Sequence, residues 1–141
     1  MTYTYSPDDI VLQVLKEENE KYAIDLRERI LNFAVQLFKL IASLPKDKEF
    51  DVIRIQISRS GTSIGANYEE AQSSTYREFS HKTRIALREA NETKYWLRVL
   101  EKLAIGDTEL LKSLLNEINE ISKILGSIVS KIDKKIKNQN L

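Results

Sequence analysis

Cysteine is absent from the 141 residues. That excludes a disulfide framework and any thiolate metal site, and it fits an expected cytoplasmic setting. Proline occurs twice and glycine four times, so little interrupts long helices. No apolar run approaches the roughly 20 residues of a membrane span, and no membrane association is expected. The opening MTYTYSPDD lacks the basic and apolar blocks of a signal peptide. A surplus of one charge sign is missing too. The 22 basic and 21 acidic residues leave +1, so no bulk field calls for an anionic partner. The excess is local: residues 51–106 carry 9 basic against 7 acidic groups.

What is present is helical periodicity. Ser6-Pro7-Asp8-Asp9 reads as a helix start, with a cap, a first-turn proline and acids at the positive dipole end. Ile10, Val11, Val14 and Leu15 follow at helical spacing. Residues 1–24 are therefore read as an N-terminal extension, a short helix or the lead-in to a longer one. Residues 25–137 are read as the main domain and 138–141 as a tail. Leu26, Ile30, Phe33, Leu37, Leu40 and Leu44 make one stripe of a first helix, Asp25 to Leu44, which Pro45 ends. Ile53, Ile57, Ile64, Tyr68 and Ala71 serve a second helix from about Glu49 to Ser73. Ser74 or Thr75 caps a third, with Glu78 completing a capping box on Thr75. Its stripe is Phe79, Ala86, Ala90, Thr93, Leu97 and Leu100 between Tyr76 and Lys102, and Gly106 is the stop signal. Asp107 caps a fourth helix. There Leu111, Leu114, Ile118, Ile121, Leu125, Ile128 and Ile132 keep heptad spacing, and Leu110, Leu115, Ile124, Val129 and Ile136 widen the apolar face. No run alternates with period two. The fold expected is all-α: an antiparallel up-down four-helix bundle.

The stretch SRSGTSIGANYEEAQSS, Ser58 to Ser74, sets two glycines inside a helix. A phosphate loop would need a strand before it and a lysine followed by Ser or Thr, and GTSIGAN has neither. Packing remains. A helical glycine costs about 1 kcal/mol against alanine, so Gly61 and Gly65, four apart on one face, are expected under a bulky side chain or a close helix crossing. Tyr95 and Trp96 of the third helix offer such bulk.

Glu69, Glu70, Glu89 and Glu92 suggest a carboxylate metal site. A dinuclear site in a bundle needs two Glu-x-x-His motifs, and the chain has one histidine, His81. The plainer reading is ion pairing with Arg59, Arg84 and Arg88, which sets register between helices or subunits. No serine sits in a nucleophile elbow, so no catalytic residue, metal or cofactor is assigned and no enzyme is expected.

Projected at 100° per residue, Arg77, His81, Arg84, Arg88, Asn91, Tyr95, Arg98 and Lys102 share one stripe of the third helix. Guanidinium forks suit phosphate oxygens, and tyrosine can stack on a base. The alternative is a solvated face or an intersubunit salt-bridge surface. Repetition around a symmetric oligomer would multiply a weak site.

RSGTSIGANYEEAQ and EFSHKTRIALREANETKYWLRVL together resemble the bacterial four-helix bundle family encoded by intervening sequences in 23S ribosomal RNA genes. The resemblance spans roughly Asp25 to Leu125. It rests on Arg59, Ser60, Gly61, Ser63, Ile64, Gly65, Asn67, Glu70, Ala71, Glu89, Glu92, Tyr95, Trp96 and Leu97. The chain is also similar to the accessory protein of diversity-generating retroelements, a basic pentamer that binds nucleic acid and a reverse transcriptase. The near-neutral charge here departs from that basic protein. The resemblance implies a ring-like homo-oligomer of five copies and no catalysis. Two functions stay open. One is a non-enzymatic protein that binds RNA or DNA through Arg77, Arg84, Arg88, Tyr95, Arg98 and Lys102. The other is a protein-interaction or scaffold module in which the bundle surface docks another protein and the arginines serve assembly. Under either reading Arg59, Glu69, Glu70, Glu89 and Glu92 are expected to form an ion-pair or assembly network, and Gly61, Gly65 and Trp96 to serve helix packing.

Overall fold

The computed structural model describes residues 7–73 and 75–138, with side chains from residue 25 onward apart from Ile136. Four long helices follow one another: α1 Pro7–Ala42, α2 Asp51–Gln72, α3 Tyr76–Leu103 and α4 Thr108–Asn138. A 3-10 turn, Lys48–Phe50, precedes α2. Among the described residues there is no strand. None of the described helices is long and apolar enough to cross a membrane. Ser6 and Ser74, both read as caps, lie outside the described residues, as do the side chains of Ile10, Val11, Val14, Leu15 and Ile136.

The first helix is longer than its apolar pattern. It starts at Pro7, not Asp25. The polar run Lys16 to Lys21 hides the continuity because it has no apolar period. It nonetheless contains no glycine or proline, and Lys and Glu propagate helix well. At the other end α1 stops before Pro45. Ser43 N–H donates to the Leu40 carbonyl at 2.9 Å, and its hydroxyl reaches the same oxygen at 2.6 Å. Arg54 holds the loop that follows. Its guanidinium donates to the Asp47 carbonyl at 3.0 Å and meets the Pro45 carbonyl and the Asp51 carboxylate.

The connection to α3 is a true capping box: Glu78 N–H donates to Thr75 Oγ1 at 3.4 Å, and Thr75 N–H donates to Glu78 Oε2 at 3.3 Å. The stop signal at the far end lies two residues earlier than Gly106. Ala104 takes the left-handed conformation, φ 55°, and its N–H caps α3. Gly106 is left-handed as well, φ 84°. Asp107 Oδ1 then accepts from Leu110 N–H at 3.1 Å to start α4. The backbone N–H of Asp107 donates to Ser43 Oγ at 3.0 Å, which ties this turn to the end of α1.

All six expected stripe residues of α1 are buried, as are the five of α2. In α3 the stripe holds except at Phe79, which is partly buried against a small cluster of Tyr76 and Ile132. In α4 every heptad position is buried except Ile128, which is partly so. The four helices share one continuous core. Burying a Leu or Ile contributes about 1.5–3 kcal/mol, so these stripes dominate the energetics.

The bulk that meets the two glycines comes from α1, not from Tyr95 and Trp96. A Cβ on Gly61 would stand 2.0 Å from Leu37 Cδ2, and one on Gly65 would stand 3.1 Å from Ile30 Cγ2. α1 and α2 approach closely because those side chains are missing.

Candidate nucleic-acid interface

The face of α3 opposite its core stripe is built by helix period alone. Once Thr75 sets the start and Thr83, Ala86, Ala90, Thr93, Leu97 and Leu100 turn inward, Arg77, His81, Arg88, Asn91, Tyr95, Arg98 and Lys102 must point out, and all seven are exposed. Arg84 sits at the edge of the row, half-exposed, and pairs with Asp133 of α4. Among the described residues, Arg77, Arg88, Arg98 and Lys102 make no ion pair.

The neighbouring acids are held elsewhere. Glu89 and Glu92 lie on the α2 flank, where Arg59 takes both: Nη1 stands 3.4 Å from Glu89 Oε2 and Nη2 meets Glu92. The hydrogen bond to Glu92 is the main reason that the Arg59 pKa is raised. Glu70 pairs with Lys82 at 2.6 Å. Glu69 pairs with Arg27 through two bonds of 2.8 and 2.6 Å. The expected pairing of these glutamates with Arg84 and Arg88 is therefore not what the helices make. Arg84 goes to α4 and Arg88 to solvent, because both lie on the far side of α3 from α2.

These four carboxylates are thus held by three cations, Arg59, Lys82 and Arg27. Among the described residues, no group of three His, Asp or Glu side chains is placed to hold a metal. Glu78 does stand three residues before His81, the spacing of a Glu-x-x-His ligand pair. Its carboxylate is engaged in the capping box, however, and His81 is exposed.

The aromatic member of the row has a support. Tyr95 is 60% exposed, and its ring packs edge-on to Trp96, with centroids 5.1 Å apart and planes at 71°. Trp96 is partly buried against the core, and its Nε1 is buried with no hydrogen-bond partner among the described residues.

A second surface escaped the sequence reading. Leu31, Val35 and Phe38 recur at i, i+4 and i+7 on α1, and each is about half exposed. Ile55 of α2 is 64% exposed. Between the two helices runs a groove of about 580 Å³ lined by Leu31, Ala34, Thr62, Gly65 and Ala66 and flanked by the Arg27–Glu69 pair. Phe38, Ile55, Ser58 and Thr62 continue the surface toward Arg54 and Arg59. The signal was present as a second apolar stripe on α1, displaced from the core stripe.

Comparison with known proteins bears on this chain at two points. A family model described as the 23S rRNA-intervening sequence protein matches residues 23–127. Among solved structures, the chain is similar to a protein of unknown function from the S23 ribosomal protein family of Bacteroides thetaiotaomicron VPI-5482. The two are 42% identical over 74% of this chain and 97% of that one, with a TM-score of 0.67. No curated protein matches the chain.

Proposed function

The chain belongs to the 23S rRNA-intervening sequence protein family, a family of unknown function, and we propose that it is a non-enzymatic, oligomeric four-helix bundle that binds RNA or DNA through the outer face of α3. The observation that carries this reading is the row of cations that make no ion pair among the described residues, Arg77, Arg88, Arg98 and Lys102, with Arg84 at its edge. A solvated salt-bridge face would intersperse acids among them. Here Glu89 and Glu92 are drawn to the other flank by Arg59. Exposed cations bind phosphate mainly by releasing counterions, which needs no buried site.

The proposed topology is antiparallel up-down. Residue pairs on neighbouring helices support it, since one number rises as the other falls: Leu37 with Gly61 and Arg27 with Glu69, then Ser60 with Thr93 and Glu70 with Lys82. The proposed assembly is a ring-like homo-oligomer, five copies by family resemblance, in a cytoplasm whose reducing character suits a cysteine-free chain.

The test is fluorescence anisotropy with a structured RNA and a DNA duplex across a salt series. Affinity is expected to fall linearly with salt on logarithmic axes. Arg88→Ala combined with Arg98→Ala should weaken it without changing oligomer size. A second reading, a protein-interaction module, is favoured by the exposed apolar groove of α1 and α2. Absence of binding at low salt would move the function to that groove.

A further inference from the structure

Tyr95 is the one large ring on the outer face of α3, and its surroundings are ordered along the helix. At 1.5 Å per residue, Arg88 lies about 10 Å before it, and Arg98 and Lys102 lie about 4.5 and 10 Å beyond it. Asn91, one turn before it, offers an amide that both donates and accepts. The ring is already held by its edge-on contact with Trp96, so engaging a flat partner costs less ordering than for a free side chain. It is nevertheless 60% exposed.

We propose that Tyr95 is a stacking platform for an unpaired base, so that the outer face of α3 takes single-stranded nucleic acid, with phosphates on Arg88, Arg98 and Lys102. This rests on the nucleic-acid reading above and names its ligand. A base inside a duplex hides both faces in the stack, and the deep, narrow major groove of A-form RNA does not admit side chains. A ring in the middle of a cationic row meets a base face only where the base is unstacked. Stacking is tolerant of sequence because every base has a π-face. RNA and DNA strands share this chemistry, so both serve as probes.

The experiment uses the full chain with labelled, unstructured RNA and DNA strands of about 16 nucleotides and a duplex of the same sequence. Tyr95→Ala is expected to weaken single-strand binding about 5- to 100-fold. The slope of affinity against salt should not change, because no charge is lost. Tyr95→Phe, which keeps the ring, should stay within about 2-fold of the parent. Arg88→Ala, by contrast, should lower the slope by about 0.7. A circular-dichroism melt of Tyr95→Ala matching the parent separates stacking from folding. Arginine-dependent binding that Tyr95→Ala leaves intact, or weakens equally for the duplex, overturns the stacking proposal alone. Failure of the parent chain to bind any of the probes at low salt overturns the nucleic-acid reading with it.

Discussion

The hydroxyls of Ser60 and Thr93 meet at 2.9 Å in the interior between α2 and α3, where both residues are fully buried. Thr93 Oγ1 also lies 2.8 Å from the Glu89 carbonyl in its own helix. A hydroxyl has one proton. Thr93 therefore donates to Glu89 while Ser60 donates across to Thr93, and the two helices are set in register by a polar contact inside an apolar core.

Truncating the two sides of this contact should not be equivalent. Ser60→Ala leaves Thr93 with its carbonyl partner and should cost about 1 kcal/mol. Thr93→Val strands the buried Ser60 hydroxyl and should cost about 1–3 kcal/mol. The double variant should cost less than the sum, because it strands nothing. Urea unfolding of the four proteins closes this cycle; strict additivity would deny the coupling.

Alanine at three glycines should order by the space that each Cβ meets. Gly126→Ala meets nothing within 4 Å and should stabilise by about 0.5–1 kcal/mol through helix propensity. Gly65→Ala meets Ile30 Cγ2 at 3.1 Å, and the two effects should nearly cancel. Gly61→Ala collides with Leu37 Cδ2 at 2.0 Å. Leu37 is fully buried and can turn only into a filled core, at about 1–3 kcal/mol. Thermal melts rank the three; a Gly61→Ala protein as stable as its parent would contradict the close approach of α1 and α2.

Ala104 is exposed and left-handed, φ 55° and ψ 45°. That conformation costs an L-residue about 1–2 kcal/mol, and glycine adopts it freely. Ala104→Gly should therefore raise the melting temperature by about 2–4 °C. A fall would mean that the alanine side chain packs more than its exposure suggests.

The hydrogen bond from Arg27 holds the Glu69 carboxyl below its ordinary pKa. A depressed carboxylate contributes stability above its unfolded pKa, and that stability is lost as pH falls through the folded value. Near neutral pH, Glu69→Gln should melt below the parent. The gap should close as pH falls below about 4. A gap that persists in acid would assign the effect to geometry and not to charge.

Charge on the second α1 stripe should test assembly. Leu31→Lys with Phe38→Lys substitutes two half-exposed positions outside the core, so the fold should survive while any oligomer dissociates. Light scattering reads the mass and circular dichroism the helix content. A parent chain already monomeric at micromolar concentration would remove the oligomer reading.

The outer face of α3 was legible before the fold because it belongs to one helix, and one helix obeys one angle per residue. Whether its cations were free was not legible. That depended on Arg59 drawing Glu89 and Glu92 to the other flank and on Asp133 reaching Arg84 from 49 residues away. Gly61 and Gly65 announced a close approach through their cost, but their partners lay on a helix that no local pattern could identify.

Local chemistry therefore determined where helices start and which residues turn inward: the Thr75–Glu78 box, the Asp107 cap and the four apolar stripes all follow from period and capping. Tertiary structure alone decided which helix fills the space over Gly61, which charges remain unpaired and which second apolar stripe stays open to solvent. The reason is range. Period and capping act within about one turn along the chain, while ion pairs, close crossings and exposed faces depend on where distant segments come to lie.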